Sequence, residues 1–98
     1  MQNIILFGYG SFGKQLYKNL SKLNYSIKVA TSIESSENSE ADGIEIVKLD
    51  IKKNSDILSL GIDPKTDMLY CSMNKTANNL FLVLTLRTIY PDAKIVAI

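Results

Sequence analysis

Residues Gly8-Tyr9-Gly10-Ser11-Phe12-Gly13 directly follow the apolar run Ile4-Ile5-Leu6-Phe7 and open an amphipathic stretch from Lys14 to Leu23. A Gly-x-Gly-x-x-Gly with a strand before it and a helix after it has the context that phosphate binding requires. Gly8 permits a tight turn off the strand, Gly10 lets the backbone approach a pyrophosphate, and Gly13 lets helix and strand pack closely. The first amides of the helix lack intrahelical partners and lie at the positive end of its macrodipole, where Ser11 can cap or donate a hydrogen bond. Tyr9 and Phe12 fill the variable positions. The turn therefore implies a nucleotide or dinucleotide ligand. Groups for catalysis are scarce by comparison. The chain has no histidine, and its tyrosines read as core or surface residues. Hydride transfer with a nicotinamide cofactor would use the same turn, but neither a proton relay nor a substrate domain accompanies it.

The elements around the turn must come from 98 residues, 46% of them hydrophobic and 21% charged, which suffices for one globular domain over residues 1–98. The net charge of +1 arises from 11 basic and 10 acidic side chains scattered along the chain. There is no basic stripe for nucleic acid and no polybasic anchor, so no nucleic-acid partner is expected. The lone cysteine, Cys71, excludes an intramolecular disulfide, reads as a small buried core residue, and fits a cytoplasmic location. Gly8 and Gly10 interrupt the N-terminal apolar run too early for a signal peptide, and no direct membrane insertion is expected.

Strand patterns recur at Asn3–Phe7, Ser26–Ala30, Ile44–Leu49, Met68–Ser72 and Lys94–Ala97, several continuously apolar as in strands covered on both faces. Between them the spacing of Phe12, Leu16, Leu20 and Leu23 predicts a helix over Ser11–Leu23. A short helix follows at Lys53–Leu60, ended by Gly61, and a longer one at Thr76–Tyr90, stopped by Pro91. This alternation predicts an α/β fold, a Rossmann-like doubly wound parallel sheet of about five strands in order 3-2-1-4-5, with its crevice at the carboxyl ends of strands one and four. Thr31–Gly43 has few apolar residues and reads as a mobile surface loop. Glu34, Glu37 and Glu40 are solvated there. The Thr76–Tyr90 helix is apolar nearly all round, with Leu80, Phe81, Leu82, Val83, Leu84, Leu86 and Ile89, and is expected to be buried on both sides.

The chain resembles the RCK domain, the TrkA-type N-terminal lobe of potassium channels and potassium uptake systems. The resemblance rests on Ile5 to Gly13, on Leu49-Asp50-Ile51 with Ile57-Leu58-Ser59-Leu60-Gly61-Ile62, and on Asp67 to Met73. It continues through Asn79-Leu80, Leu86-Arg87 and Pro91 to Ala97. It implies a cytoplasmic regulatory module at the inner face of the membrane, without catalysis, whose glycine turn binds NAD(H), ATP, ADP or AMP. The partner implied is a potassium channel or transporter membrane subunit, and the Thr76–Tyr90 helix pairs with a second copy in a homodimer or higher oligomer. Asp50, beside Ile51, would contact adenine; by spacing alone it serves equally as an N-cap. Ser72 and Met73 end strand four at the switch point, where a hydroxyl reaches phosphate or ribose or simply closes a turn. Where the family places an acid for the ribose hydroxyls, this chain has Thr31, followed by Ser32. A threonine cannot match the two hydrogen bonds a carboxylate accepts, which leaves a mononucleotide, weak binding or an assembly domain with a degenerate site open. The family continues with a further helix and strand, so a C-terminally truncated form or a fragment of a longer subunit is expected.

Overall fold

The computed structural model describes residues 3–32 and 46–98. Its elements are β1 (Asn3–Phe7), α1 (Ser11–Ser21), β2 (Ser26–Ser32), β3 (Ile46–Leu49), α2 (Asn54–Leu58), β4 (Asp67–Cys71), α3 (Thr76–Ile89) and β5 (Lys94–Ala97). All strand pairs are parallel, and the sheet has the order β3-β2-β1-β4-β5. β1 lies at its centre, where Ile4, Ile5, Leu6 and Phe7 are all buried, as the uninterrupted apolar run requires of a strand covered on both faces.

Alternating side chains along each strand divide the core in two. On one face Ile5, Phe7, Ala30, Leu49, Leu69 and Cys71 pack with Ile57 of α2 and Leu82 and Leu86 of α3. On the other, Leu6, Tyr9, Val29 and Ile46 pack with Leu16 and Tyr17 of α1. Tyr70 belongs to this second face, and its register partner Val96 on β5 is exposed.

Several boundaries differ from those the sequence predicts. β2 runs past Ala30 to Ser32, because Thr31 and Ser32 pair with Lys48 and Leu49 of β3. The start of β3 expected at Ile44 lies outside the described residues, as does most of the Thr31–Gly43 loop. β4 is shifted one residue back, and the Asp67 carboxylate accepts the Asp63 amide at 2.9 Å to fix the entering turn. α1 stops at Ser21, where the chain reverses through Asn24 with φ of 64°. Leu23 is consequently exposed, and so is Phe12, at 54%; the buried stripe of α1 narrows to Leu20 with half-buried Leu16. α2 is only Asn54–Leu58, its end tightened by bonds from Leu60 N to Ile57 O and Gly61 N to Leu58 O. α3 ends at Ile89. Beyond it Arg87 donates to the Pro91 and Ala93 carbonyls at 2.7 and 2.9 Å, holding the turn into β5.

Candidate functional site

The glycine turn leaves β1 at its carboxyl end. Gly8 has φ of 101°, a conformation costly for a side chain, and donates its amide to Ala30 O at 2.8 Å. A Cβ on Gly8 would also lie 2.5 Å from the Ser72 carbonyl oxygen, and one on Gly13 would overlap the Gly8 carbonyl. Gly8 and Gly13 are thus fixed by the protein's own packing. Ser72 is buried beneath the turn and gives both its amide and its hydroxyl to Phe7 O, at 2.9 and 3.0 Å. With its proton committed there, the Ser72 hydroxyl positions the end of β1 and has only lone pairs left for a ligand. Tyr9 is a core anchor: its ring packs edge-to-face on Tyr17 at 6.1 Å, with the Lys14 ammonium 5.8 Å from the ring centre.

Gly10 is the N-cap of α1, in extended conformation, and its carbonyl accepts the Lys14 amide at 2.9 Å. Ser11 is the first helical residue rather than the cap. No side chain caps at this position, and no acid occupies the first turn, while Lys18 lies in the last. The helix end therefore presents amide donors and a positive dipole toward the crevice, an arrangement that attracts anions. A Cβ on Gly10 would overlap the Asn74 carboxamide, with Nδ2 2.6 Å away. Asn74, from the turn after β4, thus faces the first turn of α1, a proximity the sequence analysis did not identify.

Thr31 and Ser32 come to the same end of the sheet. Thr31 is 1% exposed, and its hydroxyl is the only buried side-chain polar atom without a hydrogen-bond partner among the described residues. Asp50 follows β3, half-buried. Its Oδ1 accepts the Lys52 amide at 3.0 Å, and its own amide donates to Asp56 Oδ2 at 2.8 Å. The α2 N-cap is Lys53, so Asp50 closes a turn ahead of the helix rather than capping it. Ile51 is buried in the core. The Met73 amide, just past β4, donates to Asn79 Oδ1 at 3.0 Å, and Asn79 Nδ2 donates to the Ile98 carbonyl at 3.2 Å. Asn79 is the buried polar residue of α3, on the face that also buries Leu82 and Leu86, and it ties together β4, α3 and the residue after β5. All the sequence-predicted positions lie on the glycine turn or at or just beyond the carboxyl ends of β2, β3 and β4. Tyr9, Ile51 and Ser72 support this end from the interior.

The remaining chemistry is quiet. No three His, Cys, Asp or Glu residues among those described come together as a metal site, and no described helix is long and apolar enough to cross a membrane. Burial pushes the Cys71 thiol up to about 12, which keeps it protonated and unreactive. A groove bordered by Asn3, Tyr17, Lys28 and Asp67 lies at the opposite, amino end of the sheet and shares no residue with the glycine turn.

Comparison with known proteins agrees with this architecture. The AMP-bound Kef CTD of Shewanella denitrificans superposes with a TM-score of 0.73 at 23% identity, over 97% of this chain and 56% of that one. The chain thus spans little more than half the length of that structure, and at this identity the likeness is one of fold. No curated protein matches. The family model of the TrkA-N domain matches residues 4–98, from the start of β1 through β5. With its glycine turn, its parallel sheet in the order β3-β2-β1-β4-β5 and a match of that extent, the chain belongs to the TrkA-N domain family.

Proposed function

We propose that this chain is a single non-catalytic regulatory lobe that binds an adenine nucleotide at the glycine turn and governs a potassium channel or uptake system at the cytoplasmic face of the membrane. The observation that carries the reading is the start of α1. Its first turn has no side-chain cap and no acid, and it stands at the switch point between β1 and β4, where the sheet order reverses. Family membership and the AMP held by the Kef CTD of similar fold support an adenine nucleotide. At the end of β2 the orphaned Thr31 hydroxyl fits a partner such as a ribose hydroxyl. A threonine offers one oxygen where a carboxylate would grip two hydroxyls, so the site favours AMP or another mononucleotide over NAD(H). In this reading Asp50 contacts the base with Ile51 packed behind it in the core, and Ser32 and Met73 border the ribose and phosphate.

Regulation needs a moving partner, since a ligand shifts an equilibrium only by its differential affinity for two states. The exposed stripe of Leu80, Phe81 and Leu84 on α3 supports pairing with a second copy, which would convert occupancy of each crevice into a change in the angle between lobes. An oxidoreductase reading gains no support, since the chain has no histidine and its buried thiol stays protonated.

The test is a thermal-shift series with AMP, ADP, ATP, NAD and NADH on the wild type and on Ser11→Asp. A ligand that binds the folded state alone raises the midpoint by mass action. Ser11 is exposed at the first position of α1, so an aspartate there suits the helix dipole while repelling phosphate. The expected result is a rise with AMP in the wild type and its loss in a Ser11→Asp protein that melts no lower. No rise with any of these nucleotides would refute the proposal.

A further inference from the structure

We infer that the Asn74 carboxamide is a displaceable stand-in for phosphate, which competes with the nucleotide for the start of α1 and reports its arrival to α3. The inference rests on the proposed nucleotide site and concerns what occupies that site beforehand.

The atom nearest to where a Gly10 Cβ would sit is Asn74 Oδ1, with Nδ2 and Cγ at 2.6 and 2.7 Å. The missing side chain of Gly10 is therefore filled by this amide, and an acceptor oxygen stands at a helix start that has neither a capping side chain nor an acidic first turn. A carbonyl oxygen offers that end the same kind of partner as a phosphate oxygen, without the charge. A phosphate approaching the Gly10 backbone needs the same volume, so the two cannot coexist. Asn74 itself is exposed and follows β4 by three residues, which lets it swing out toward solvent.

Its displacement has a route onward. Met73 precedes it, and the Met73 amide is held by Asn79, whose other end holds the Ile98 carbonyl. Asn79 is buried on the inner face of α3, and Leu80 and Leu84 are exposed on the outer one. A turn that must rearrange to clear the crevice thus pulls on a helix with an unpartnered apolar face. The same contact gives Gly10 a second reason to be glycine, since any Cβ would meet Asn74 before it met a ligand.

Two experiments test the inference. First, AMP and ADP are titrated calorimetrically into the wild type, Asn74→Ala and Asn74→Asp. Emptying the seat should tighten binding about threefold in Asn74→Ala, whereas Asn74→Asp, which puts a carboxylate at the helix start, should weaken it at least tenfold without lowering the melting midpoint. If the wild type binds and Asn74→Ala binds equally or more weakly, the inference fails and the nucleotide site survives. If neither binds, the functional reading fails and takes the inference with it. Second, the stability cost of Gly10→Ala is measured without ligand in the wild-type and Asn74→Ala backgrounds. Relief of most of the midpoint loss in the second background is expected. An equal loss in both would overturn the claim that Asn74 fills this space.

Discussion

Thr31 keeps its hydroxyl buried and unpartnered, a state that ordinarily costs about 1–3 kcal/mol. Such a cost is understandable if the oxygen is reserved for a ligand. Thr31→Val keeps the shape and removes the hydroxyl, so it should raise stability in urea by about 1 kcal/mol while weakening AMP binding about fivefold, on the scale of one hydrogen bond. A less stable variant with unchanged affinity would mean that the hydroxyl serves the fold. Cys71 makes the opposite case, a reactive group kept inert. Its thiol is pushed by burial from 9.0 to about 12, so the folded protein holds the proton more tightly than the unfolded chain. This contribution to stability is fully present below about pH 9 and is lost as the pH climbs toward 12. Alkylation of Cys71 at pH 8 should accordingly follow the rate of unfolding. Fast labelling of the native protein would contradict the burial.

At the scale of elements, α3 has two distinct faces. The inner one buries Asn79, Leu82 and Leu86, while Leu80 and Leu84 stand 59% and 60% exposed beside Phe81. Burying a leucine is worth about 1.5–3 kcal/mol, so a partner covering this stripe would gain several kcal/mol from three side chains. Leu80→Asp with Leu84→Asp should leave the thermal midpoint of the isolated lobe nearly unchanged and turn a dimer into a monomer in sedimentation equilibrium. A wild type that is monomeric at high concentration would remove α3 as the pairing surface. The sequence predicts a helix covered on both sides, because an all-round apolar pattern records the total need for cover without telling fold from assembly. The described chain covers only one face. A similar ambiguity explains α1, where Phe12 and Leu23 fit the helical spacing but lie exposed, one at the glycine turn and the other beyond the helix end.

For the whole molecule, the parallel order of five strands was legible because apolar strands alternate with helices, and right-handed crossovers leave few ways to close such a sheet. The glycine turn was legible because its residues are adjacent in sequence. Asn74 escaped notice because its partner Gly10 is distant in sequence and the contact forms only when β1 and β4 lie side by side. The orphaned hydroxyl of Thr31 was equally hidden, since polar satisfaction belongs to the folded state. The account rests on a nucleotide seated at the start of α1. Titrating AMP into the uniformly labelled protein and following every amide by heteronuclear NMR tests this directly. Saturable shifts should be largest at Gly8, Gly10, Ser11, Phe12 and Gly13, with smaller ones at Thr31 and Met73. A well-dispersed spectrum in which these amides stay still, or in which only Asn3, Lys28 and Asp67 at the opposite end of the sheet move, would contradict it.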